Sequence, residues 1–422
     1  MNEITLINKF FYEHDVCVMV AAKHPKTGKP LALKTPGYIR YKLVTYAAGI
    51  EFSDVFRLKD ELNSLLANAR RDEKVQVRFD PVEFALEVPR VDRMNLDFYL
   101  ATLRPFTARV GRSYAFGEAK DNFLDLTDSN SAHTLIAGMT GSGKSEMLRT
   151  VVTDLFDNNS PAQLHALMID LKNRGLRPFA NDPHVIAYAS EPEQATAILK
   201  WLHAEMKRRK ADGTCEPRIV LFVDELAELA SECGENVVDG ELPSLARMGR
   251  ELGINIIAAA QKPDSSLIGP QLKSQFGCKL IGILADSTTA FHITGRRRSG
   301  AESLPGKGAM LLIRDGIQPL RVQGYFVGDK VTEVAAAIAH KHEALRLQTI
   351  ALPVPDEMTQ MARKAKPVME QYTRDGKLQR GGVGAVVAQL FGEGARNEGH
   401  NNRMAQRVIS HFFEAKGTAH AN

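Results

Sequence analysis

The chain has 422 residues, more than one hydrophobic core usually supports, so two or three domains are expected. With 44 % hydrophobic and 25 % charged residues it has the composition of an ordinary globular protein, and a net charge of +4 permits nucleic-acid binding without requiring it. No apolar run reaches the roughly 18 to 20 residues that span a bilayer, and the opening MNEITLINKFF lacks the order of a signal peptide, so a cytoplasmic protein is expected. Cys17, Cys215, Cys233 and Cys278 lie far apart with no C-x-x-C pair, which argues against a zinc site and a disulfide framework.

From the amino end, Tyr38 to Val44, Val75 to Phe79 and Phe84 to Val88 alternate as strands do, and Phe56 to Ala69 carries apolar residues at helical spacing. Residues 1–106 therefore read as a small α+β domain, with Arg40, Lys42, Arg70 and Arg71 as a solvated face. Over residues 107–350 apolar runs alternate with helical stretches. The runs are Thr134 to Ala137, Leu164 to Ile169, Val185 to Tyr188, Ile219 to Val223, Ile254 to Ala260, Lys279 to Ile283 and Ala309 to Ile313. The alternation predicts an α/β fold: a parallel sheet covered on both faces by helices, with its site at the carboxyl ends of the strands. A linker falls around Leu352 to Pro355. Residues 356–422 read as three helices broken at Gly376, at Gly381 and Gly382, and around Gly392 to Gly399.

The most informative segment is GMTGSGKS, Gly138 to Ser145, placed between the strand-like HTLIA and a helix-like segment. Glycine at 138, 141 and 143 lets successive N–H groups converge on phosphate oxygens, and the helix that opens near Lys144 adds its positive dipole end. Gly138, Met139, Thr140, Gly141, Ser142, Gly143, Lys144, Ser145 and Glu146 are thus the candidate nucleotide-binding residues. Lys144 would reach the β and γ phosphates of ATP, and the Ser145 hydroxyl would complete the shell of a magnesium ion. A second motif, RIVLFVDEL at Arg218 to Leu226, reads as a buried strand ending in two carboxylates. Asp224 is the candidate to hold Mg2+ through water, and Glu225 to polarise the attacking water. Gln261 ends a third strand, where it could sense the γ phosphate.

These motifs, with MIDLKNRGL, GRELGINIIAAAQKP, GAESLPGKGAML and PLRVQGYFV in the same order, resemble the motor domain of the FtsK/SpoIIIE family of bacterial DNA translocases. TPGYIRYKLVTYAAGI and VQVRFDPVEFALEVPR are similar to the small α domain that precedes the motor in that family. MAQRVISHFFEAKG is similar to the recognition-helix region of its winged-helix γ domain. The resemblance implies a RecA-like P-loop motor flanked by a small N-terminal α+β domain and a C-terminal helical, winged-helix-like domain. It also implies a hexameric ring that binds ATP between subunits and passes double-stranded DNA through its pore.

Hydrolysis in such a ring draws a positive charge from the neighbouring subunit, for which Arg250 and then Lys279 are the candidates. Arg296, Arg297 and Arg298, in what looks like a small insertion, are candidate DNA contacts with Lys307, Arg403 and Arg407. Thr288 stands where the family carries an arginine. The family's N-terminal membrane anchor and long linker have no counterpart, and the chain ends five residues after the recognition-helix segment. A motor serving a mobile element, with an element-encoded DNA-processing partner, is the expectation. A conjugative coupling ATPase for single-stranded DNA, a polypeptide-secreting ATPase and an ATP-controlled replication or partition factor remain the alternatives.

Overall fold

The computed structural model describes residues 2–23, 28, 31–72, 75–80, 84–90, 94–115, 118–261, 268–297, 299–353, 357–374, 377–378, 381–391, 401 and 404–409. The chain divides into two compact units, Met1–Leu352 and Pro353–Asn422. The residues expected to form separate N-terminal and motor domains thus share one unit.

Among the described residues the apolar runs of the first unit assemble into a ten-stranded sheet. Its strands are β1 (Thr107–Ala115), β2 (Glu118–Asp125), β3 (His133–Ala137), β4 (Leu164–Ile169), β5 (Val185–Ala189), β6 (Arg218–Val223), β7 (Ile254–Ala260), β8 (Cys278–Ile281), β9 (Ala309–Arg314) and β10 (Leu320–Gln323). They lie in the order β5-β4-β6-β7-β3-β8-β9-β10-β1-β2. Neighbours from β5 to β8 are parallel. From β8 to β2 every pairing is antiparallel. The expectation of a uniformly parallel sheet is corrected at Ala309–Ile313, because a strand buried on both faces reads as a continuous apolar run whichever way it points.

The helices that bear on the site are α1 (Lys144–Asp157), α2 (Pro192–Asp212), α3 (Leu226–Cys233), α4 (Leu242–Gly249) and α5 (Val331–His342). α2 shows how local sequence sets such limits: Pro192 opens it and left-handed Gly213 closes it. Side chains alternate across each strand, so the sheet separates two cores. Leu135, Leu221 and Val223 pack with Ile198 of α2, Leu229 of α3 and Leu245 of α4. Ile136, Val220 and Phe222 pack on the other face with Val151 and Leu155 of α1 and Ile338 of α5.

The N-terminal residues form a four-stranded antiparallel sheet, ordered Ala32–Lys34, Tyr38–Lys42, Ala85–Pro89, Arg78–Asp80. The helices Glu3–Glu13 and Lys59–Arg70 contribute Ile7, Phe11, Leu62 and Leu66 to one core with Leu86 and Val88. The solvated-face reading fails for Arg40. It is buried and ion-pairs with Glu87 at 3.2 Å and with Asp80, the desolvated charge being tolerable because carboxylates surround it. Arg70 pairs with Glu3, whereas Lys42 and Arg71 are exposed.

In the second unit, helix Glu357–Gln371 is followed by the two-stranded pair Thr373–Arg374 and Lys377–Leu378, helix Gly382–Phe391 and a helical turn at residues 404–409. Ala365, Met369, Val386, Val387, Ala405 and Val408 form its core. Gly382 is the first residue of the second helix, and left-handed Gly381 just before it makes the turn. Gly376 and Gly392 to Gly399 lie outside the described residues.

One buried ion pair fastens the antiparallel half of the sheet to α1. Arg109 of β1 and Asp154 of α1 are each 1 % exposed and meet at 2.7 Å, with a second carboxylate bond from Arg109 Nε at 2.9 Å. Burial raises the Asp154 carboxyl and the guanidinium opposes that rise. Tyr99, Phe98 and Tyr325 surround the Arg109 guanidinium at 4.6 to 4.8 Å from their ring centres. Replacing Asp154 with alanine leaves a buried cation without its anion, and should cost about 3–5 kcal/mol in urea denaturation; a loss below about 1 kcal/mol would contradict this accounting.

Candidate nucleotide site

The register of the parallel strands decides what can meet. Ala137, the last residue of β3, lies opposite Ala260 of β7 and Ile281 of β8. The glycine-rich loop therefore leaves the sheet between Gln261 and Gly282, held by bonds from Gly138 N–H to the Ala260 carbonyl at 3.1 Å and from Met139 N–H to the Ile283 carbonyl at 2.9 Å. β6 lies on the far side of β7, so Asp224 and Glu225 emerge at the same edge as Gln261.

The loop returns into α1 through Gly143, whose φ of +96° only glycine takes readily. A Cβ there would lie 2.4 Å from the Gly308 nitrogen, so backbone packs on backbone. No side chain caps α1. Its first-turn N–H groups are thus open to an anion. Met139, Thr140, Gly141 and Ser145 are exposed, while Ser142 is buried and its hydroxyl lacks a hydrogen-bond partner.

Two elements converge on Glu225. Lys144 Nζ lies 3.3 Å from its Oε2, and Gln261 N–H donates to its Oε1 at 2.9 Å. The Gln261 side-chain amide in turn donates to the Thr140 hydroxyl on the loop. Lys144, Glu225 and Gln261, picked from separate motifs, are thus joined in one cluster.

Asp224 lies beside this cluster with a different environment. Its Oδ1 is buried and lacks a hydrogen-bond partner, and a Cβ on Gly175 would come within 2.2 Å of it. Burial, and then the negative charge of Asp170, push its carboxyl up to about 6. A half-buried carboxylate with one unpartnered oxygen, next to a second carboxylate, is a site whose charge a divalent cation would balance, so Asp224 fits the magnesium role. Asp170, absent from the sequence-based candidates, ends β4 as Asp224 ends β6. It accepts from Leu176 N–H at 2.9 Å and from the Tyr188 hydroxyl at 3.2 Å. The signal was present in MIDLKNRGL, an apolar run closed by an acid, as in LFVDEL.

Glu146 turns away from the loop. Its Oε2 accepts from Val327 N–H at 3.1 Å and Gly328 N–H at 2.8 Å, and Arg149 holds its other oxygen at 2.8 Å. It caps the chain leading into α5, and this geometry gives its carboxylate a structural task. Arg250 is exposed where α4 passes into β7, at the amino end of the strand whose carboxyl end bears Gln261. It is not brought to the loop of its own chain. Lys279 is 9 % exposed within β8, and its ammonium pKa is lowered chiefly by burial.

Lys307, grouped by sequence with the arginine triplet, lies against the loop instead, its N–H donating to the Gly141 carbonyl at 2.9 Å. Arg296 donates to Gln318 Oε1 at 3.2 Å and to the Ile317 carbonyl at 3.1 Å, while exposed Arg297 sits 5.9 Å from the Phe291 ring centre. Arg407 is exposed on the 404–409 turn; Arg298 and Arg403 lie outside the described residues.

Residues 114–213, which run from the end of β1 through the loop and α1 to the end of α2, match the FtsK/SpoIIIE family. The chain carries an FtsK/SpoIIIE-family domain. Among relatives, the DNA translocase SftA of Bacillus subtilis (strain 168) is 27 % identical over 327 residues, 69 % of this chain and 33 % of that protein. The DNA translocase FtsK of Lactiplantibacillus plantarum is 29 % identical over 334 residues, 71 % and 41 %. The chain therefore spans less than half the length of these curated relatives. EssC (ATPases 2 and 3) from Geobacillus thermodenitrificans superposes with a TM-score of 0.54 at 21 % identity, over 62 % of this chain and 54 % of that one. The pCW3 conjugation coupling protein TcpA, in its monomer form with ATPγS, gives 0.52 at 19 % identity, over 80 % and 99 %. These likenesses fix the fold of the FtsK/SpoIIIE-family domain as that of a P-loop ATPase. Among the described residues no helix is long and apolar enough to cross a membrane.

The backbone approach at Gly143 makes one position decisive. Gly143→Ala should weaken ATPγS binding by more than about tenfold, read by calorimetric titration, as strain and the clash with Gly308 displace the loop. Unaltered affinity would mean that the loop does not hold the phosphates.

Proposed function

We propose that the chain is an ATP-hydrolysing motor that moves double-stranded DNA. The observation that carries this reading is the cluster of Lys144, Glu225 and Gln261 at the strand ends, with Lys144 inside the segment that matches the FtsK/SpoIIIE family. The DNA translocases among its relatives supply the substrate class. The motor would act as a homo-hexameric ring in the bacterial cytoplasm, with residues 1–106 and 356–422 as accessory domains around the 107–350 motor. Transfer, segregation or packaging of a mobile element, with an element-encoded DNA-processing partner, is the setting we infer.

The residues divide the chemistry among them. Without nucleotide Lys144 is held by Glu225; when the loop N–H groups take phosphate, Lys144 turns to the added charge and Glu225 is released. Glu225 then accepts the proton of the attacking water, and Gln261, tied to Thr140 of the loop, registers whether the γ phosphate is present. Ser145, and Asp224 through water, would hold Mg2+, which supplies positive charge to the phosphate oxygens. Arg250 of a neighbouring copy would add the trans cation that stabilises the transition state. Arg296 and Arg297, with Arg298, would grip DNA phosphates without reading bases.

Hydrolysis by the purified chain with no DNA, single-stranded DNA or duplex DNA, against Lys144→Ala as blank, tests the reading. Strong stimulation by duplex alone is expected; preference for single strands points to a coupling ATPase, and no response to either points to polypeptide secretion or assembly control. Glu225→Gln should retain ATP while kcat falls by about 10² to 10⁴. Alanine at positions 296 to 298 should weaken duplex binding and reduce its salt slope by about 0.9 per lost phosphate contact, and an unchanged slope would remove these arginines from the DNA path.

A further inference from the structure

Gln323, the last residue of β10, is 6 % exposed and is clasped between the N-terminal residues and the turn beneath the P-loop. Its Nε2 donates to the Lys307 carbonyl at 2.9 Å. Its Oε1 lies where a Cβ on Gly37 would come within 3.3 Å. Two residues earlier, on the same face of the strand, Arg321 ion-pairs with Glu87 and places its guanidinium 3.9 Å from the Tyr38 ring centre. β10 is therefore tied to the N-terminal sheet through Arg321 and lies close to Gly37, just before that sheet's second strand, through Gln323.

The turn that Gln323 holds is left-handed at three consecutive residues, with φ of +74° at Gly306, +49° at Lys307 and +83° at Gly308. Such a conformation, unfavourable for Lys307, persists only where outside contacts fix it. The contacts on its other side belong to the P-loop. Lys307 N–H donates to the Gly141 carbonyl at 2.9 Å and Gly308 N–H to the Ser142 carbonyl at 2.8 Å. A trans peptide holds its C=O and N–H antiparallel, so a grip on the Ser142 carbonyl aims the Gly143 N–H away from the turn, toward the open side of the loop.

We propose that Gln323 is a positioning residue for nucleotide binding: it locks the Gly306–Gly308 turn on which the P-loop rests, and through Gly37 makes ATP affinity depend on how the N-terminal module seats against the motor. The proposal rests on the nucleotide-binding reading above. A brace of this kind fixes the loop equally for bound ATP and for the transition state, so its loss acts on KM and leaves kcat largely alone.

Gln323→Met keeps length and removes the donor, and Gly37→Ala presses on the same amide from the N-terminal side. Steady-state hydrolysis and ATPγS titration of the full chain should show KM and Kd raised about tenfold by Gln323→Met and about threefold by Gly37→Ala, with kcat within about twofold. The double variant should be no worse than Gln323→Met alone, since the two changes act through one contact. Unchanged KM in both variants, a fall in kcat that matches a loss of folded protein, or additive effects in the double variant would each overturn the proposal. If wild type and Lys144→Ala alike fail to bind ATPγS, the nucleotide reading itself falls and this inference with it; normal wild-type binding with unaffected variants removes the inference alone.

Discussion

The ion pair between Lys144 and Glu225 is the contact on which the rest of the site depends. Three strand ends have to coincide for it to form: β3 to deliver the loop, β6 to deliver the acid, and β7 between them to close the gap with Gln261. Parallel pairing at these registers is what brings them level. Without an opposite charge, Glu225 would be a buried carboxylate and Lys144 a nearly buried ammonium, each expensive to desolvate. Together they are affordable at rest, and either is available once phosphate competes for the other.

Asp224 is left outside that exchange, and the difference between adjacent acids is instructive. Glu225 is satisfied by lysine and by backbone, while Asp224 faces Asp170 and the backbone of Gly175. In the function we propose, the first takes a proton and the second holds a cation. Their roles follow from what surrounds them, not from their identity as carboxylates.

Much of this was legible in the sequence because it depends on local order. The buried runs Thr134–Ala137, Leu164–Ile169, Ile219–Val223 and Ile254–Ala260 stand within a residue or so of the observed strands, and the glycine-rich loop falls between β3 and α1. What escaped depends on partners distant in sequence. The Ala309–Ile313 run gives no hint of its antiparallel direction, and Arg40 looks solvated until Glu87 and Asp80 fold beside it. Glu146 directly follows the motif but is claimed by Val327 and Gly328, far along the chain. Lys307 looked like part of a basic patch because lysine is usually read by charge, whereas here its backbone carries the contact.

The central claim is movement along duplex DNA driven by ATP. Its most direct measurement is displacement of a third strand from a triplex placed at increasing distances from the loading end of a duplex. The account predicts ATP-dependent displacement with a lag that grows in proportion to that distance, absent with ATPγS and in Lys144→Ala. Displacement without ATP, a lag independent of distance, or no displacement despite DNA-stimulated hydrolysis would contradict it.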